Sequence, residues 1–231
     1  IIGIFIGAVA VTYFSIPWTL SEYSNRIYLA ISHTFTPAFS ELDTCENKDN
    51  MINLLISGTK VTLFFSNMIT FGVIIFGYEF ISLWMGEKYA DEARYLLVIF
   101  FVAQYFIAPQ LVGGALLQGV SKHQLLSKLT FITAVSTIGV TIFMVIKFGI
   151  LGAALGVAVP QLLLFGVFVP IYVCNYLNIS IIEYVKKTHL MFLVPNILFV
   201  LFMILLKNSV YPSTFLLLFG EALLSSFIFM V

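Results

Sequence analysis

Glu22 and Arg26 stand four residues apart inside IPWTLSEYSNRIYLAISHTFTPAFSEL, the stretch from Ile16 to Leu42. On a helix, that spacing brings a carboxylate and a guanidinium onto one face. Asn25 and His33 add hydrogen-bonding groups, and Pro17 and Pro37 bracket the run. Two chemistries are open to these residues. In one, Glu22 and Arg26 neutralise each other and let a long, tilted helix carry two charges near a membrane boundary. In the other, Arg26 offers its planar fork of donors to an anionic group such as a phosphate. Glu22 is then its resting partner or a cation site, with Asn25 beside them.

The surroundings sharpen the question. Hydrophobic residues make up 61% of the chain and charged residues 10%, and the mean hydropathy is +1.06. A soluble globular domain carries roughly a quarter charged residues, so this is the composition of an integral membrane protein. Long unbroken apolar runs specify helices, because a membrane barrel alternates apolar and polar residues over segments of about ten. An ionisable residue inside such a bundle is expected to face its interior or a watery cavity. The net charge is zero, which points to neither a nucleic-acid partner nor a polybasic lipid anchor.

The pattern predicts an all-α, polytopic transmembrane bundle of about seven spans, each near the ~20 residues that cross a bilayer. Residues 1 to 6 end a preceding helix. A long helical region then runs from Gly7 to about Phe39, kinked at Pro17. Counted from Gly7 at ~1.5 Å per residue, Glu22 falls near mid-depth and Arg26 in the following half. Glu41 to Asn50 (ELDTCENKDN) reads as a solvated loop, without the glycine and ligand spacing of an EF-hand.

Further spans follow from about Gly58 to Leu83, Arg94 to Leu117, Leu125 to Ile146, Leu151 to Tyr176, Leu190 to Leu206, and Pro212 to the end. LWMGEKYADEARY reads as an interfacial loop, since Trp and Tyr favour that level. Pro109 with Gly113 and Gly114 predicts a kink. KFGILGAALG predicts a very tight connection, and Gly152 with Gly156 a close helix contact. Asn67, Gln104, Gln118 and Gln161 are expected to hydrogen-bond neighbouring helices. Glu221 lies inside the last span and is expected to face the bundle. Lys48, Lys60, Lys122, Lys128, Lys186 and Lys187 fall on one side, and Lys88, Arg94, Lys147 and Lys207 on the other. This bias favours the first set as cytoplasmic.

No catalytic constellation appears. His33, His123 and His189 are scattered, and neither HExxH, GxSxG, a Walker loop nor GxGxxG occurs. No metal, cofactor or catalytic residue is expected. Cys45 and Cys174 are expected to be unpaired thiols. The sequon at Asn178 falls at a helix end on the side read as cytoplasmic, where it would not be glycosylated.

The order of these features resembles a known family. Gly3, Phe5, Gly7, Tyr13, Ile16 and Pro17, followed by Pro37, Ser40 and Leu42, are similar to a helix in the second half of polysaccharide biosynthesis proteins. These are the O-antigen and teichoic-acid flippases of the multidrug/oligosaccharidyl-lipid/polysaccharide exporter superfamily. Leu83 to Tyr89 (LWMGEKY), LLQGVSKHQ and GILGAALG resemble further family stretches in the same order.

The resemblance implies that residues 1–231 are the C-terminal lobe of a two-lobe exporter about twice as long, cut at both ends. Its partner is then the N-terminal lobe of the same chain, in a multi-pass protein of the cytoplasmic (inner) membrane. The implied activity is flipping of a lipid-linked oligosaccharide, of polyprenyl phosphate or pyrophosphate type, with membrane lipids as the other contact. Arg26 is the expected contact for its phosphates, a role assigned from charge and depth. A cation-coupled multidrug exporter of the same superfamily would carry more acidic residues within its spans. A membrane enzyme acting on lipid-linked glycans would carry a large polar loop with paired carboxylates or a catalytic His. A non-transporting scaffold of the same fold is the remaining alternative.

Overall fold

The computed structural model describes residues 2–209, and every regular element among them is helical. A short α1 (Ile2–Phe5) leads through Gly7, at φ 111°, into α2 (Ala8–His33). After a turn at Thr34 and Phe35, α3 (Thr36–Thr44) begins with Pro37 in its first turn, where a missing N–H costs nothing. Next come α4 (Lys48–Met85), α5 (Glu87–Ile107) and, across a single 3₁₀ turn at Ala108–Gln110, α6 (Leu111–Gly119). The later chain holds α7 (His123–Gln161), a π-helical stretch (Leu162–Phe168), α8 (Val169–Leu177), α9 (Ile181–Lys187) and α10 (Leu193–Ser209).

Two expected loops are more helical than their polarity suggests. The polar run Glu41 to Asn50 is exposed, yet only Cys45 to Asn47 leave helical geometry. The physical reason is a cap: the Asn47 side chain accepts from the Asn50 backbone N–H at 3.2 Å and starts α4 at Lys48. Within LWMGEKYADEARY only Gly86, at φ 95°, breaks the chain, and α5 begins at once. Glycine is needed there because the left-handed region strains any residue with a Cβ. The Asn178 of the sequon also sits in the left-handed region, at φ 58°, and closes α8.

The tight connection is where expected. Gly149 (φ 57°, ψ −133°) folds α7 back on itself. A Cβ at Gly152 would collide with the Met144 carbonyl, and one at Gly156 with the Thr141 backbone. These two glycines therefore let the hairpin arms touch, main chain against main chain. Pro160 lies inside the second arm and lacks the N–H that would bond one turn back. The π-helical stretch follows immediately.

Among the described residues, four helical stretches are long and apolar enough to cross a membrane: Lys48–Met85, Glu87–Gly119, His123–Leu177 and Ile181–Asn208. The third is the hairpin folded at Gly149. At 26 residues, or about 39 Å, α2 is also long enough to span. It is not among the four, because its hydropathy is too low. The last expected span, from Pro212, and Glu221 within it lie outside the described residues.

Two cores hold the bundle. One packs Phe39, Leu55, Val112, Leu116, Val173 and Leu177 where α3, α4, α6 and α8 meet. The other packs Ile81, Leu96, Phe100 and Phe101 where α2, α4 and α5 meet. In the second, the Phe100 ring stands edge-on to both Phe14 and Trp18, with centroids 5.4 Å away in each case. α10 is more peripheral, joined through Phe199 and Met203 to Phe76.

Candidate functional site

α2 has two unlike faces, and both are polar. Its buried side carries Pro17, Ser21, Ser24, Tyr28 and Ser32, spaced three or four apart as one helical stripe requires. Gln104 of α5 donates to the Ser21 hydroxyl at 3.3 Å, and Ser24 returns its proton to the Leu20 carbonyl at 3.0 Å. Small hydroxyl residues allow close helix approach and still bond within the bundle. The inward polarity of α2 is thus spent on packing against α4 and α5.

The opposite side has no such partner. Thr12, Thr19, Tyr23, Arg26 and His33 are exposed, and Ser15 and Glu22 are half-buried. At about 100° per residue they fall within an arc of roughly 100°, diametrically across from the buried serines. Asn25 is half-buried and projects about 100° away from Arg26, toward the packed flank. The sequence stretch therefore separates into a packing face and an open polar stripe, and Asn25 does not belong to the stripe.

The pairing expected of Glu22 and Arg26 is not made. Among the described residues no carboxylate stands within 4 Å of Arg26. Its guanidinium lies over the Tyr23 ring instead, 5.6 Å from the centroid. An exposed i,i+4 ion pair gains only about 0.3–0.5 kcal/mol, so contact with a neighbouring ring competes with it readily. The result is a guanidinium held at the surface of α2 with its hydrogen-bond donors unspent on protein carboxylates.

The remaining polar residues divide cleanly. Asn67 donates to Asn196 at 2.8 Å, which ties α4 to α10, and Gln104 bonds Ser21 as above. Among the described residues, Gln118 and Gln161 make no such interhelical bond. Tyr184 donates to Gln110 and shares a hydrogen bond with Thr59, both at 3.1 Å, joining α9 to the core. Cys45 is exposed and Cys174 buried, and both are free thiols. Among the described residues no group of three His, Cys, Asp or Glu side chains is placed to hold a metal ion.

One charged pair escaped sequence reasoning. Glu79 of α4 and Lys207 of α10 meet at 2.7 Å, with side-chain exposures of 6% and 29%. Lys207 also donates to the Ile75 carbonyl at 2.6 Å. In the sequence, Lys207 reads as a loop charge and Glu79 as one acid in an apolar run. The 127 residues between them leave no periodic signal linking the two.

No family model matches the chain. Over 158 residues it is 22% identical to a probable low-salt glycan biosynthesis flippase, Agl15, of Haloferax volcanii. That alignment covers 68% of this chain and 33% of the relative. In three dimensions, the chain is similar to the lipid II flippase MurJ in its inward closed conformation. The TM-score is 0.69 at 16% identity, over 96% of this chain and 46% of that one. The chain thus spans less than half the length of either protein. Together with its apolar helices, the match establishes a multi-pass, all-helical membrane bundle with the fold of part of a MurJ-type flippase.

Proposed function

We propose that this chain is one lobe of a flippase that moves a lipid-linked saccharide across a membrane, with the open stripe of α2 lining the path of the headgroup. The observation that carries this reading is the polarity of that stripe. Among the described long helices, α2 alone falls below membrane-spanning hydropathy, and it turns Thr12, Thr19, Glu22, Arg26 and His33 away from its own bundle. Facing lipid, a charge at mid-depth costs about 2.5–3.5 kcal/mol even on the most lenient scale. Facing a water-filled cavity between two lobes, it costs little. The similarity to two flippases supports the same reading.

In this account Arg26 binds the phosphate or pyrophosphate that joins sugar to lipid. A guanidinium offers paired donors matched to phosphate oxygens, and Tyr23 holds it in place from one side. Glu22, about 40° around the helix, keeps the path from becoming a trap of purely positive charge. Asn25, half-buried and about 100° around the helix from Arg26, lies outside the stripe. The second lobe, a chain segment preceding this one, closes the cavity. Translocation then follows from rocking one bundle against the other, with the lipid tail left in the bilayer.

The test is complementation by the full-length parent protein in cells lacking their own flippase, with surface polysaccharide and membrane abundance measured together. Arg26→Ala is expected to abolish export at normal abundance. Arg26→Lys is expected to restore only part of it, because a point charge replaces the fork. Normal export by Arg26→Ala refutes the assignment of Arg26. Failure of the parent on several lipid-linked saccharides, with export of hydrophobic cations instead, favours the multidrug reading.

A further inference from the structure

The Glu79–Lys207 pair borders a cavity of about 260 Å³, which Arg94 and Tyr78 also line. Its charges are unevenly satisfied. Glu79 is 5% exposed, and its Oε1 holds Lys207. Its Oε2, fully buried, has no hydrogen-bond partner among the described residues. A buried carboxylate oxygen without a donor is among the costlier defects a fold can carry. Lys207 has spent two of its three donors, on Glu79 and on Ile75. Arg94 has no carboxylate within 4 Å among the described residues, and its guanidinium lies 5.8 Å from the Tyr95 ring centroid. Asp91, one turn before Arg94 on α5, accepts from Tyr78 at 3.1 Å.

The cavity also has a defined level. Glu79 precedes Trp84 by five residues, about 7.5 Å of helix, and Trp84 and Tyr95 are 56% and 60% exposed. Exposed Trp and Tyr at helix ends mark the zone of lipid headgroups. The far end of α4, at Lys48, stands about 47 Å from Glu79. The cavity therefore opens at one membrane interface, remote from the polar segment around Cys45.

We propose that this cavity binds the headgroup of a zwitterionic bilayer lipid carrying a primary amine, of the phosphatidylethanolamine type. A bare metal cation is disfavoured by Arg94 and Lys207, and a simple anion by Glu79. A headgroup with both charges answers each wall. Its phosphate accepts from Arg94 and the remaining Lys207 donor, and its ammonium donates to the Glu79 carboxylate at the cavity wall. A choline headgroup has no N–H for that carboxylate, and a glycerol headgroup has no positive charge. The site is separate from the α2 stripe and does not rest on the transport reading.

The test measures lipid retained by the full-length protein in native mass spectrometry. Phosphatidylethanolamine, phosphatidylcholine and phosphatidylglycerol of identical chains are supplied in equal amounts. The wild type is expected to retain the ethanolamine lipid about tenfold over the other two, the scale of one hydrogen bond to a charged group. Glu79→Gln is expected to bring the three to near parity. Arg94→Ala, an exposed substitution that leaves the ion pair intact, is expected to lower retention of all three. Equal retention by the wild type overturns the proposal, without reliance on any variant folding. So does a preference that survives Glu79→Gln, or retention indifferent to Arg94→Ala.

Discussion

Lys207→Met is the most informative perturbation of the fold. It removes the ammonium that holds Glu79 and leaves a carboxylate, 6% exposed, with neither oxygen partnered. It also frees the Ile75 carbonyl, which Lys207 reaches at 2.6 Å. Breaking a buried ion pair from one side costs about 3–5 kcal/mol, whereas an exposed pair is worth at most about 1. With one partner nearly enclosed and the other 29% exposed, the expected cost is near 3 kcal/mol. Replacing both partners, as Glu79→Met with Lys207→Met, removes the stranded charge and should return stability to within about 1 kcal/mol of the parent. The assay is a double-mutant cycle of reversible unfolding in mixed micelles, followed by circular dichroism. A cost below about 1 kcal/mol for Lys207→Met refutes the reasoning, since the pair then behaves as a solvated surface bridge. A double variant as unstable as Lys207→Met alone refutes it as well.

The hairpin and the polar core yield further expectations. Gly156→Leu drives a side chain into the Thr141 backbone and should cost more than the ~1–3 kcal/mol typical of overpacking. Gly139→Ala, in the same helix with open space around it, should be neutral or stabilising by up to about 1 kcal/mol. Thermal unfolding of the two proteins compares them directly. Tyr184→Phe strands Thr59 and Gln110 and should cost about 1–3 kcal/mol, with faster hydrogen exchange in α9 as its local signature.

Much of this architecture is written in the chain. The reversal at Gly149 is announced by KFGILGAALG, and the kink before α6 by Pro109. The separate helix α2 is announced by a run too polar for lipid yet too apolar for a loop. What periodicity cannot resolve is which polar residue points where. Ser21, Ser24 and Ser32 read like the rest of the stretch, but they face the bundle while Arg26 faces away. Four-residue spacing offered Glu22 to Arg26, and a ring one turn back took the guanidinium instead. Glu79 and Lys207 meet only because α4 and α10 pack, a tertiary fact with no local trace. The helical geometry of Lys48 to Asn50 has a local cause instead, the cap at Asn47, which outweighed composition.

On this reading the stripe on α2 faces water within the membrane. Substituted-cysteine accessibility in the full-length protein, after replacing Cys45 and Cys174, tests it most directly. Thr19→Cys, Glu22→Cys, Arg26→Cys and His33→Cys are expected to react with a membrane-impermeant maleimide. Val9→Cys and Ile27→Cys, exposed on the apolar flank, should stay inert beside them, and substrate should protect positions 19 and 22, where Arg26 is intact. Reaction at all six positions alike, or at none, contradicts an aqueous path along α2.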